Sequence, residues 1–245
     1  MLRPICLSVL LLGTALRAAE TPPAIASLTY SGDQAALVDL DREIAAAGKD
    51  GAALAAIETR LVAILRRTDT TFAARQALCQ RLGAIFAQSD SPTGAASAKL
   101  LGAMLLDARD SDLARLALDP APGAAIDVLF TTALGKTSGR TRLGVINSIA
   151  RRRIETAVTA LIGLLADKDA ATATAAARAL GEIATPAAAA ALRSAKAPAP
   201  VILGHARLQA THRLPVADAQ RLLRELQDDT GLPAHLRAGA FRRSL

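Results

Sequence analysis

The chain has 245 residues, 51% hydrophobic but only 2% aromatic, with no tryptophan. Alanine and leucine dominate and β-branched residues never form alternating runs, which excludes an all-β fold and predicts an all-helical one. The formal net charge of +7 rests on 29 basic residues, of which 24 are arginine and five lysine; an arginine-rich, lysine-poor balance of this kind accompanies GC-rich coding and is not in itself the mark of an anionic partner.

Residues 1–19 read as a signal peptide. Arg3 supplies the positive start, Ile5 to Leu16 an apolar run too short to span a bilayer as a mature helix, and Ala18-Ala19 small residues for cleavage. This predicts export to the periplasm or beyond. Cys6 lies too early to be a lipid-attachment cysteine, and no later stretch of 18 residues is free of charge, so no membrane span is expected after processing. Cleavage leaves 27 basic against 22 acidic residues, and Cys79 as the single cysteine. An intrachain disulfide is then excluded, and Cys79 is expected to pack as a small hydrophobe.

Residues 20–32, with Pro22, Pro23, Ser31 and Gly32, read as an extended lead-in, and 33–245 as one helical array. Leu37, Leu40 and Ile44 mark a first helix ended by Gly48. Asp50-Gly51 opens a second through Leu54, Ile57, Leu61, Ile64 and Leu65, and a third over 70–88 turns Ala74, Leu78, Leu82 and Ile85 inward. Pro92, Pro122, Pro186 and Pro215 then precede helical patterns at spacings of 30, 64 and 29 residues, the middle gap being two repeats whose proline is replaced near Ile154 and Glu155. Proline suits the first turn of a helix, and Thr185 is placed to cap the one at Pro186. Partner helices are predicted over 109–118, 138–153, 169–184, 199–213 and 233–244. A repeat of about 30 residues holds two short helices and their turns, so the fold class is an α-solenoid of stacked antiparallel helix pairs, about six in number. Leu-Gly recurs at Leu82-Gly83, Leu143-Gly144, Leu180-Gly181 and Leu203-Gly204, which predicts close approach of another backbone there.

The run Leu161-Ile162-Gly163-Leu164-Leu165-Ala166-Asp167-Lys168-Asp169, then Ala176 to Ala184 and Thr185-Pro186-Ala187 to Leu192, resembles the short HEAT-like repeat first associated with phycobilisome lyases. The resemblance is good over 120–195, fair to 245 and loose before 110. It implies a superhelical scaffold that binds another protein. It also admits a bilin or tetrapyrrole lyase or chaperone, or an accessory module of a redox or hydrolytic complex.

No catalytic, cofactor or metal residue is assigned. His205, His212 and His235 show neither H-x-x-x-H nor E-x-x-H spacing, and surface histidines are the simpler expectation. Asp107, Asp110 and Asp112 crowd a turn, where capping explains them better than calcium. Gly135 to Gly144 lacks the phosphate-loop spacing and follows no strand. Nucleic acid is not expected, because the basic residues carry no aromatic stacking partners among them. What remains is arginine placement. At 100° per residue Arg75, Arg140, Asn147, Arg151, Arg178 and Arg207 fall on one flank of their helices' apolar stripes, with Arg152 and Arg153 nearby. In a solenoid those flanks line up, and the expectation is a surface for an acidic protein partner. The C-terminal helix has no obvious polar cap, so oligomerisation through that edge is also expected.

Overall fold

A computed structural model describes residues 23–32, 34–88, 94–196 and 199–245; the signal-peptide expectation and Pro92 lie outside the described residues. Among these residues the secondary structure is helical throughout and contains no strand. The chain is an α-solenoid.

Helix α1 (Pro23–Ala26) and α2 (Ala35–Ala47) come first, and Gly48 ends α2 with a positive φ. Then follow α3 (Gly51–Leu65), whose N-cap Asp50 accepts the Ala52 and Ala53 N–H groups, and α4 (Phe72–Gln88). Next are α5 (Ala95–Met104), α6 (Ser111–Leu118), α7 (Ala124–Lys136) and α8 (Gly139–Arg152). A 3₁₀ turn (Glu155–Ala157), where the missing proline was expected, leads into α9 (Val158–Leu164) and α10 (Ala170–Ile183). Asp169 caps α10 through the Ala171 and Thr172 N–H groups; the Thr172 hydroxyl, first, and the Ala171 N–H hold its carboxyl below the ordinary range. The array ends with α11 (Pro186–Ser194), capped by Thr185 on Ala188 N–H, α12 (Pro200–Ala210), α13 (Val216–Asp228) and α14 (Ala234–Ser244).

Each odd helix from α3 to α13 pairs with the even helix after it, giving six hairpins. The hairpins stack in two layers. Even helices α4, α6, α8, α10, α12 and α14 pack in succession, and odd helices line the other layer. The even layer is spaced by alanine and glycine, as where Gly83 faces the Leu116 carbonyl and Gly181 the Ala206 backbone, while in the odd layer Gly102 of α5 meets the Leu129 side chain of α7. The close-backbone expectation thus holds at Gly83 and Gly181. At Gly144 and Gly204 the glycine instead makes room for side chains, Arg115 in one case and Leu232 with Leu236 in the other.

Over its described residues, 23–32, the lead-in is not simply extended. Pro23–Ala26 form a helical turn, Ile25 and Leu28 are buried, and Thr71 donates through its N–H to the Ala26 carbonyl and through its hydroxyl to that of Leu28. Two apolar side chains without a helical period suffice to dock this segment on α2 and α4.

The core divides. A long apolar spine runs from Ile25 to Ala206, and a smaller cluster gathers Ala184 and Ala189 with Leu214, Leu222, Leu223, Leu226, Leu232, Leu236 and Ala240. Cys79 lies in the spine, and burial pushes its thiol up to about 12, with Asp110 adding to the effect and Arg75 opposing it. Below pH 9 the thiol is neutral folded or unfolded and exerts no pH dependence. Above pH 9 the unfolded chain alone releases the proton, so stability is expected to fall as the pH rises towards 12, and Cys79→Ser is expected to remove that component. Denaturation midpoints from pH 8 to 11 measure it.

Candidate partner-binding surface

The six flank residues separate into two groups. Arg75 on α4 donates to the Leu65 carbonyl (3.1 Å) and pairs with Asp110 at the N-cap of α6. Arg151 on α8 reaches Asp119 at the end of α6 (2.6 Å), and Arg207 on α12 lies 3.5 Å from Asp229, just ahead of α14. These three tie one repeat to the next. The same occurs with Arg142 of α8 and Asp167 (3.3 Å), whereas Arg152 of α8 pairs with Asp127 of its own hairpin and reaches the preceding repeat through the carbonyls of Leu118, Asp119 and Ala121. A guanidinium matched to a carboxylate at hydrogen-bond distance, with Arg75 and Arg207 four-fifths buried or more, is already committed to the fold.

The second group faces solvent. Arg140 is 94% exposed and only 3.9 Å from Asp112, which is closer to Arg115 (2.7 Å). Asn147 of α8 and Arg178 of α10 are exposed, and each stands nine residues beyond its helix's N-cap, Ser138 and Asp169 respectively. They therefore occupy equivalent places on adjacent even helices. Among the described residues Arg178 makes no ion pair and no hydrogen bond through its side chain. Of the six, Arg140, Asn147 and Arg178 thus share the outward face of α8 and α10, whereas Arg75, Arg151 and Arg207 are paired with carboxylates of neighbouring repeats.

Sequence reasoning missed the tying role of Arg142 and Arg152. For the ion pairs between repeats a signal existed: the aspartate of Arg142 lies 25 residues away and those of Arg75 and Arg151 lie 35 and 32 away, close to one repeat length. The capping expected of the aspartates near 110 is not made by Asp110, which stands at the N-cap of α6 without a side-chain cap hydrogen bond; these aspartates brace the turn instead. Asp107 accepts the Arg109 and Asp110 N–H groups, Asp110 holds Arg75, and Asp112 holds Arg115. No group of three His, Cys, Asp or Glu side chains suited to a metal ion occurs among the described residues, and none of the helices described is long and apolar enough to cross a membrane. At the C-terminal edge Val216, Phe241 and Leu245 are exposed.

Stacked helical hairpins, each touching only its neighbours and joined by arginine–aspartate ties, define a helical-repeat protein of the kind that works through its surface. Residues 126–210, from α7 to the end of α12, match the family model for HEAT repeats, and repeats of this type commonly bind proteins. No curated protein matches the chain.

Proposed function

We propose that this protein is an exported, non-catalytic scaffold that binds an acidic protein partner on the α8–α10 face. The observation carrying this reading is the pair of solvated guanidiniums on neighbouring helices, Arg178 without a carboxylate partner among the described residues and Arg140 with only a 3.9 Å contact to Asp112, while Arg75, Arg151 and Arg207 are paired more closely. Arg140 stands two residues and Arg178 nine residues beyond its N-cap, an axial offset of about 10 Å, so with axes about 8–10 Å apart the matching partner segment carries two carboxylates roughly 14 Å apart. Export is supported by the charge and apolar pattern of residues 1–19.

Affinity capture from the secreted or periplasmic fraction, with intact protein as bait, tests the reading. The expected result is an acidic partner retained by the native chain and lost from Arg140→Glu/Arg178→Glu, with retention falling as salt rises. Equal capture by both baits would overturn it.

A further inference from the structure

The even layer brings together two histidines that the sequence keeps 30 residues apart. His205 on α12 and His235 on α14 are both exposed, and their ring centroids lie 5.8 Å apart at an interplanar angle of 37°. The helices carrying them are held in register on both sides of the pair. Gly204, next to His205, leaves room for Leu232 and Leu236, while Gly239, one turn beyond His235, is covered by Leu208. Arg243 donates to the Leu208 carbonyl and to the Thr211 hydroxyl, fixing the far end of α14 against α12. Glycine at two contact points lets the axes approach, and that approach sets the imidazole separation.

We infer that His205 and His235 form a two-imidazole site for a divalent transition-metal ion. An ion bound to one nitrogen of each ring at about 2.0–2.1 Å sits roughly 3.2 Å from each ring centre, so chelating rings have centroids between about 5 Å for a tetrahedral angle and about 6.4 Å for a linear one. The observed 5.8 Å falls inside that interval. Water completes the coordination, because both rings face solvent and the described residues place no third histidine, cysteine or carboxylate in a ligand group with them. Neutral imidazole selects copper, nickel and zinc over magnesium or calcium, with Cu(II) bound most tightly. The ion would join α12 to α14 across the last two hairpins and act as a brace independent of the α8–α10 face.

Titration of the untagged chain with Zn(II) by calorimetry, and with Cu(II) by electron paramagnetic resonance, tests this. One ion per chain is expected, with two nitrogen ligands in the Cu(II) spectrum. His205→Ala and His235→Ala are each expected to weaken binding at least about tenfold, because a single imidazole cannot chelate. His212→Ala, one exposed histidine further along the same region, is expected to leave it unchanged. Circular dichroism of each variant confirms the helical fold. The assignment is overturned if no ion binds at that stoichiometry, if His212→Ala costs as much as the other two, or if each single variant keeps half the capacity at full affinity.

Discussion

Replacing Arg152 by alanine is expected to destabilise the protein by about 3–5 kcal/mol, the range found when one partner of a buried charge pair is removed. Its side chain is 9% exposed and its guanidinium is almost fully engaged. Nη1 donates to the carbonyls of Leu118 (2.9 Å), Asp119 (2.9 Å) and Ala121 (2.5 Å), while Nε and Nη2 donate to Asp127 Oδ1 at 3.0 and 2.7 Å. The carbonyls of Leu118 and Asp119 are terminal acceptors of α6, which have no intrahelical donor, and the negative end of the helix dipole favours a cation there. The guanidinium also lies 5.6 Å above the Phe130 ring, in the cation–π range. Alanine would take this donor from the Asp119 and Ala121 carbonyls, Leu118 keeping the Ala121 N–H, and would leave the partly buried Asp127 carboxylate unpaired. Lysine offers one charged nitrogen where a planar fork is needed, so Arg152→Lys is expected to recover less than half the loss. Guanidinium denaturation of the two variants beside the native chain measures both; a loss below about 1 kcal/mol for alanine would show that these contacts do not hold α6 to α8.

Gly181→Ala is expected to cost about 2–3 kcal/mol, although alanine is the better helix former by about 1 kcal/mol. A Cβ there would sit 2.6 Å from the Ala206 carbonyl oxygen and 3.0 Å from its Cα, so the obstacle is backbone and cannot swing aside. Helices α10 and α12 would have to separate, and the spine they share would loosen. Gly163 supplies the opposite sign. It lies exposed on α9 with nothing within 4 Å of the added methyl, so Gly163→Ala is expected to stabilise by up to about 1 kcal/mol. Thermal midpoints moving in opposite directions for the two glycines would confirm that packing decides at one site and propensity at the other.

The fold was legible because its signals were periodic. Leu143, Ile146 and Ile149, then Ala173, Ala176 and Leu180, repeat an apolar stripe whose register needs no tertiary information, and the predicted helices 138–153 and 169–184 end within a residue or two of α8 and α10. Thr185 and Pro186 announce α11 by local chemistry alone. The lead-in was misread because Ile25 and Leu28 are buried by contacts with distant helices, which no local period reports. The surface was only half legible for a related reason. A helical projection places Arg75 and Arg178 on the same flank, but whether a carboxylate of the next repeat meets that flank depends on Asp110 in one case and on the absence of any counterpart in the other. The approach of His205 to His235 depends likewise on how far α12 and α14 are held apart, a distance set by Gly204 and Gly239 rather than by the histidines' own spacing.

The gap between the long spine and the smaller apolar cluster also bears on how the molecule opens. Leu222, Leu226, Leu232 and Leu236 lie outside the long spine and pack with one another and with Ala184, Ala189, Ala210 and Leu214, so α13 and α14 can unravel as one cooperative segment while the spine stays intact. Backbone amides of the last hairpin would then exchange with solvent through fraying, ahead of those in α8 and α10, and a protease would find its first cut there.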